Sequence, residues 1–446
     1  MRVLLVSHRF PPDGTGGVER YTQTLASELV QAGDSAAVLT RRPDSHLRRP
    51  EVRREQLPNG TTVYRITGGH VSSTRFLECH EDLERLFTVA MLEAVPEVVH
   101  INHFLGLSPE FVRIAHSLGA AVTLSLHDFF VSCPRVHLQK PSGALCKGPR
   151  YGRECATTCH GGLQPGDALP WGLRALYFRK LLAAADAVIA YSDYVADYFR
   201  SVSDAAPNIQ VIPNGVPWKN GIEISRKPRE GPLRIAYCGT VAPHKGVSVL
   251  LEALRIAALP AVELLIVGDA PEREYAARLR HTANSIPGIS LKRYGNYEPT
   301  ELPIILNGTD IVVVPSLVPE AGPIVPREAQ ALGIPTLVSN LGALPELVKS
   351  GENGFLFNPN RPAELAGLLR RLDIDRLLLL KLHEGASRST QIAVGTHARL
   401  VRRVYEQSLE HFRNPNKPAA SQREIRFLHG ELVKLGFASS ASTASS

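Results

Sequence analysis

The chain has 446 residues, too many for one compact core, so about two domains plus a tail are expected. Charged residues are 21% and hydrophobic residues 44%, the balance of a globular protein, and no apolar run approaches the roughly 20 residues that cross a bilayer. The opening from Met1 to Ser7 is too short for a secretory core, so a cytoplasmic location is expected; the net charge of +7 is moderate, and no nucleic-acid motif accompanies it.

Apolar strand-like runs alternate with helical spacing along the first half, the βαβ signal of a doubly wound parallel sheet. Strands are expected at 3–7, 36–40, 62–67, 97–102, 121–126, 187–191 and 210–213. After the first, Gly14, Gly16 and Gly17 let a backbone approach a phosphate, or simply make a tight turn. Val18, Tyr21, Leu25 and Leu29 then share one helix face. Arg41, Arg42, Arg48, Arg49, Arg53 and Arg54 crowd the next stretch. It reads first as a solvated loop, with contact to anionic lipid or an anionic acceptor as the other reading.

The strand 121–126 runs into His127 and Asp128. A histidine there either donates to a sugar hydroxyl or a phosphate, or is bonded within the core. An insert at 131–162 carries Cys133, Cys146, Cys155 and Cys159. Their spacing lacks the paired Cys-x2-Cys knuckles of a zinc site, yet a long loop with few apolar residues cannot order itself by burial. A structural zinc, reduced thiols and disulfides all stay open, the last disfavoured in a reducing cytoplasm.

A boundary falls near Pro213 to Pro217, and 219–232 has the Gly, Pro and charge content of a linker. A second α/β set follows, with strands at 233–238, 262–267, 289–293, 310–314, 336–339 and 355–357. Gly239 and Thr240 lead from its first strand to Lys245 and Gly246, just before a helix near Val247, where an ammonium and helix amides could share a diphosphate. Gly268 ends the next strand, and Gly295 with Tyr297 a third, where an aromatic edge suits a flat base.

The strand 310–314 precedes Glu320, Ala321, Gly322, Pro323, Ile324, Val325 and Glu328. Proline is tolerated in the first helical turn and not further in, so Pro326 places a helix start beside it and leaves 322–325 as loop with free amides. Two carboxylates and those amides at the carboxyl ends of parallel strands suit a hydroxyl-rich, anionic ligand. The alternative is a Glu328 that offsets the helix dipole and a solvated Glu320. Asp373 and Asp375, between helical stretches, read as a capping pair rather than a metal-holding Asp-x-Asp. Helical stretches continue to about 412. Ile425, Leu428, Leu432 and Leu435 give a last helix one apolar side, read as docked on the body rather than on a membrane, and 438–446 reads as frayed.

The ordered series Gly16-Gly17, His127, Gly239 with Lys245-Gly246, Gly295, Glu320-x7-Glu328 and Asn353-Gly354 resembles the retaining family-4 glycosyltransferases of GT-B fold, of the kind found in bacterial surface polysaccharide synthesis. It covers most of the chain. The resemblance implies two Rossmann-like, doubly wound parallel-sheet domains facing across a cleft. These are an N-terminal acceptor-side domain at 1–215 that includes the cysteine insert, and a C-terminal nucleotide-sugar-binding domain at 216–395, followed by C-terminal helices and a tail at 396–446. It further implies metal-independent transfer of a hexose-type sugar from a nucleotide diphosphate to an acceptor hydroxyl, with retention.

On that resemblance Glu328 would bind the donor ribose, and Glu320 with 321–325 would hold the sugar hydroxyls and diphosphate. Lys245 would neutralise the leaving diphosphate, Gly16 and Gly17 would let the first domain close onto it, and His127 would approach the donor sugar. Gly239, Thr240, Gly295 and Tyr297 would complete the donor site. The implied partners are a nucleotide-diphosphate sugar and a glycan, lipid-linked or small-molecule acceptor, and the basic stretch leaves open peripheral contact at the inner face of the membrane. Thr240 stands where many members have Arg, so phosphate neutralisation would rest on Lys245, helped by His244, His127 or amides. A similar cysteine insert in some bacterial members implies a loop that shapes the acceptor entrance. The rival functions are a non-catalytic sugar-nucleotide-binding relic and a sugar-nucleotide epimerase. An NAD enzyme would need a third glycine where Glu19 stands.

Overall fold

The structure, a computed structural model, describes residues 1–14, 16–42, 49–68, 81–161, 164–202, 209–218, 231–414 and 420–434. Arg48, most of 219–232, Leu435 and the 438–446 end lie outside the described residues. Two compact units result: Met1–Pro213 with Gly395–Ser446, and Asn214–Val394.

The first unit is built on β1 (Arg2–Ser7), β2 (Ser35–Arg42), β3 (Glu51–Gln56), β4 (Thr62–Thr67), β5 (Val98–Ile101), β6 (Ala121–Leu126), β7 (Ala187–Ala190) and β8 (Ile209–Val211). Their order is β3-β4-β2-β1-β5-β6-β7-β8, and only β3 runs antiparallel to its neighbour. Strands β5, β6 and β7 are buried at every residue, as expected of parallel strands covered on both faces. The order reverses at β1, between β2 and β5, so the loops that follow β1 and β5 diverge and open a crevice at the carboxyl ends.

Where described, the basic stretch is partly strand rather than the loop expected of it, though most of its arginines are exposed. Arg41 and Arg42 end β2, while Arg53 and Arg54 lie on β3. Arg41 is buried and donates to the Gly106 carbonyl at 2.6 Å; Arg42 pairs with Asp13 at 3.3 Å. β3, Glu51–Gln56, is an almost wholly polar edge strand, and such charge discourages pairing with another chain.

The helix Val394–Arg413 joins this unit and places Ala398, Val401, Val404 and Tyr405 in one core with Val3, Leu5, Tyr21 and Leu25. Arg402 reaches Asp34 at 2.9 Å, and the same carboxylate holds the N-terminal ammonium at 2.6 Å. The residues set apart at 396–446 on sequence therefore pack, where described, with the first unit. The last helix, Ala420–Lys434, lies against the helix Leu169–Ala184 and buries Ile425, Leu428 and Leu432.

The second unit has β9 (Leu233–Cys238), β10 (Val262–Val267), β11 (Ile289–Tyr294), β12 (Ile311–Val314), β13 (Thr336–Ser339) and β14 (Gly354–Phe357), ordered β11-β10-β9-β12-β13-β14. Every pair is parallel, with the reversal at β9. The helix Val247–Ala257 buries Val247, Leu250, Leu251 and Leu254 in the core and packs on the helix Pro362–Ile374. Gly246 starts it with φ 73°, and a Cβ there would lie 1.8 Å from the Pro315 carbonyl oxygen. Only glycine fits. Asp375 accepts the Leu378 N–H at 2.8 Å and caps the helix Arg376–Arg388, while Asp373 binds Arg376, so this acidic pair is structural.

Both ends of the second unit lie together. Val216 donates to Ile392 at 2.9 Å and accepts from Val394 at 3.0 Å.

Candidate functional site

In the second unit the residues singled out follow the carboxyl ends of β9, β10, β11 and β12. Gly239 follows β9 with φ 132°, and the carbonyl of the exposed Thr240 accepts the Tyr237 hydroxyl at 2.7 Å. Lys245 closes a 3-10 turn, Pro243–Lys245, which points its Nζ at Glu320 Oε1, 2.8 Å away. Ser316 donates to the same oxygen. Burial alone would raise the Glu320 pKa, but the Lys245 charge, the bonds from Lys245 and Ser316, and His244 hold it below its ordinary value. The carboxylate is charged and aimed.

The backbone around it is equally fixed. Ala343 donates to the Glu320 carbonyl at 2.9 Å, and Asn214 Nδ2 donates to the Gly322 carbonyl at 2.9 Å. Ala321 and Pro323 are buried, with Gly322, Ile324 and Val325 partly so. The amides of Gly322 and Ile324 donate no hydrogen bond among the described residues. The next helix spans Val325–Ala331, with Pro326 its second residue and Glu328 in its first turn. Glu328 is buried, and its charge adds to burial in pushing up the pKa of the Cys238 thiol, which ends β9. Tyr297 packs beside Cys238 and Val267, and the Gly295 carbonyl accepts the Gly268 N–H at 3.1 Å. Asn353 and Gly354 serve the fold: Asn353 accepts the Lys349 N–H at 2.8 Å, and a Cβ on Gly354 would lie 1.9 Å from the Thr336 carbonyl.

The first unit gathers a different set. His127 follows β6; its Nε2 lies 3.1 Å from the Tyr191 hydroxyl and 3.4 Å from Asn102 Oδ1. Its ring stacks on Tyr191 at 4.4 Å and meets the edge of Tyr21 at 4.7 Å. Burial, then the neighbouring His100 and His103, hold its pKa well below the ordinary histidine value. Asp128 pairs with His103 at 2.8 Å, and His8 with Glu19 at 3.3 Å. Gly14 and Gly16 make room for Glu19: a Cβ on either would come within 2.9 Å and 2.7 Å of its carboxylate oxygens. At Gly17, by contrast, a Cβ would meet nothing within 4 Å. A side chain at Gly16 would press on the Glu19 carboxylate, whereas Gly17, the first residue of the helix Gly17–Gln31, has open space around it.

Cys133, Cys146, Cys155 and Cys159 are free thiols, two of them buried. Burial first, then Cys133, Cys159 and Cys146, pushes the Cys155 thiol up to about 12. Among the described residues no three His, Cys, Asp or Glu side chains form a group that could hold a metal. Ring stacking and hydrogen bonds also hold the insert. His160 stacks on Trp171 at 3.9 Å, Cys155 and Ala156 pack on the same indole, and Arg174 ties the Phe130 carbonyl at 2.6 Å beneath it.

Two family models match the chain in succession: "Glycosyltransferase Family 4" over residues 15–218 and "Glycosyl transferases group 1" over residues 222–388. The chain belongs to the family-4 glycosyltransferases. Among relatives of this glycosyltransferase, a glycogen synthase of Mycobacterium tuberculosis is 26% identical over 381 residues, covering 83% of this chain and 85% of that one. A D-inositol 3-phosphate glycosyltransferase of Corynebacterium jeikeium is 26% identical over 435 residues, covering 91% and 97%. Of solved structures, sucrose-phosphate synthase from Thermosynechococcus elongatus superposes with a TM-score of 0.65 at 20% identity, covering 91% and 98%. Anabaena HepE in complex with UDP and glucose gives 0.64 at 17%, covering 91% and 99%. These place the glycosyltransferase in the GT-B fold.

Several residues of this glycosyltransferase escaped the sequence reading. Ser316 carries no motif signal beyond lying after an apolar strand. Glu19 was read only as the residue that spoils a dinucleotide fingerprint, although its place three residues after Gly16 is a signal for it. Asn102, Tyr191 and His103 meet His127 and Asp128 only through the fold.

Proposed function

We propose that the protein transfers a hexose from a nucleotide-diphosphate donor to an acceptor hydroxyl, with retention and without a catalytic metal, in glycan or glycolipid assembly. The observation that carries this reading is the Lys245–Glu320–Ser316 cluster at the carboxyl edge of the second sheet, with the buried Glu328 in the first turn of the helix that follows. A charged carboxylate accepts from sugar hydroxyls, while the lysine beside it and the unpaired N–H groups of Gly322 and Ile324 donate to the diphosphate. Glu328 binds the ribose hydroxyls common to every such donor. As the glycosyl–oxygen bond breaks, its electron pair leaves on the diphosphate, where Lys245 offsets the new charge. The acceptor oxygen bonds to the anomeric carbon from the same face and gives up its proton to the departing phosphate oxygen. The relatives' names, a glycogen synthase and an inositol-phosphate glycosyltransferase, support a sugar donor and a hydroxyl acceptor. Fold neighbours solved with UDP, UDP-glucose or ADP support the nucleotide.

A thermal-shift screen against UDP-, GDP-, ADP- and TDP-sugars tests the donor. Stabilisation by one base and not the others is expected, and none by any would remove the reading. Glu328→Ala is expected to abolish transfer with the fold intact, and unchanged transfer would overturn the ribose role. Full activity in EDTA is expected. Tight binding of a sugar nucleotide with no turnover would instead favour the non-catalytic relic, for which Thr240 in place of the common arginine is the motive.

A further inference from the structure

We infer that Cys133, Cys146, Cys155 and Cys159 are the ligands of one zinc ion, a four-thiolate structural site within the first unit whose buried counter-charge is Arg174. The site goes beyond sugar transfer and does not depend on which sugar or acceptor is used.

Three short pieces of backbone bring the sulfurs into one neighbourhood. A turn in which the Val136 N–H bonds the Cys133 carbonyl at 2.8 Å leads into a tight hairpin that pairs Gln139 with Leu145. The Cys146 N–H then bonds the Leu138 carbonyl at 2.7 Å, which returns Cys146 to the segment that Cys133 begins. A single π turn, Cys155–Cys159, carries the other two four residues apart and so on one side. Just before it, Gly152 meets the helix Leu169–Ala184 so closely that a Cβ there would lie 2.2 Å from the Gly172 nitrogen, and the same helix carries Arg174. Cys133, Cys159 and Cys146 all bear electrostatically on Cys155. The backbone around the sulfurs is also strained. Of the six non-glycine residues with positive φ among the described residues, four, Val136, Leu138, Arg150 and Tyr151, lie in this insert. Strain of that kind persists where something over-determines it.

Charge separates a zinc site from reduced thiols and from disulfides. Arg174 is 1% exposed, and among the described residues no carboxylate pairs with it. It donates to the Phe130 carbonyl at 2.6 Å and lies over the Phe130 and Phe178 rings, but its Nε has no partner. Those contacts soften the cost of burial and supply no counter-charge. The groups that act on it electrostatically are the Cys133 and Cys155 sulfurs. Protonated thiols and disulfides are neutral and would leave the cation uncompensated. Thiolates on Zn²⁺ are deprotonated outright, and four of them exceed the charge of the ion by two. Arg174 offsets one of these charges, and Arg135, which acts on Cys159, the other. The Gly148 N–H, 3.4 Å from Cys146 Sγ, suits a sulfur that accepts. As the side chains stand, no three form a metal-holding group, so binding includes side-chain rotation; Cys146 and Cys159 are only partly buried.

The full chain, purified under reducing conditions without chelator, is expected to carry about one zinc per chain by atomic emission. Cobalt exchanged into the site is expected to show thiolate-to-metal charge transfer and the intense visible bands of a tetrahedral site. A chain that holds no zinc and takes up none from Zn²⁺ alone overturns the inference, as does iron in its place. Brief EDTA treatment should leave a thiolate-held ion bound, whereas a thiol-blocking mercurial should release it. Cys146→Ser combined with Cys159→Ser is expected to abolish zinc binding, and Cys238→Ser, in the other unit, to leave it intact; zinc retained by the double variant refutes the ligand set. Arg174→Met is expected to weaken zinc affinity about tenfold in a competition with a chromogenic chelator, and Arg174→Lys to restore most of it. Unchanged affinity in an Arg174→Met chain of normal thermal stability refutes the arginine as counter-charge.

Discussion

Glu320 owes its charge to two neighbours of different kinds: an ammonium 2.8 Å away and a hydroxyl that donates. Removing the ammonium leaves a largely buried carboxylate with one donor, so its pKa must move up. Lys245→Ala is therefore expected to lower turnover by about 100-fold, through loss of both phosphate neutralisation and a poised carboxylate. The acid limb of its rate profile should shift toward neutral pH. The sign for stability follows as well. Since the folded pKa of Glu320 lies below the unfolded one, the pair stabilises the fold above the ordinary glutamate value, and that contribution is lost as pH falls through the folded value. Lys245→Ala should shrink this acid sensitivity, which urea unfolding at pH 4 and pH 7 measures.

Elements place these side chains, and at that scale glycine decides. Gly246 turns the chain from the Lys245 turn into the helix Val247–Ala257 with φ 73°, its backbone against Pro315. Gly246→Ala adds a Cβ to a left-handed residue and drives it into a carbonyl, so a loss of about 3 kcal/mol in urea unfolding is expected, with Lys245 displaced from Glu320. Elements of this sort were largely legible. Strands such as β12, Ile311–Val314, are continuous apolar runs because both faces are covered, and Pro326 marked the start of the helix that carries Glu328. β3 was not legible, because a polar edge strand shows neither an apolar run nor alternation; its arginines read as loop. The His127 surroundings were illegible for another reason. Tyr405 and His100 are 305 residues apart, and no local pattern reports a partner at that distance.

The whole molecule should be sensitive to acid through its buried imidazoles. Burial, then His397, lowers His100 to about 3, and burial lowers His8 and His127 as well. Below the unfolded histidine value near 6.5 the unfolded chain binds protons that the folded one refuses, so stability is complete above that pH and declines toward about 3. His100 alone accounts for about 2 kcal/mol between neutral pH and pH 5. A His100→Asn chain is expected to show a shallower decline in denaturant midpoint over that interval.

The chain leaves the first unit after Pro213 and re-enters it at Gly395, and His397 binds the Pro213 carbonyl at 2.8 Å. Exit and entry are thus neighbours, and the second unit is a guest inserted at one point of a host whose core is completed by residues on both sides of the insertion. Such a host has no need of its guest to close. A shortened chain joining Pro213 to Gly395 through a few glycines should fold cooperatively, with Tyr405 buried. One ending at Pro213 should not, because Val401, Val404 and Tyr405 would be missing from the sheet they cover.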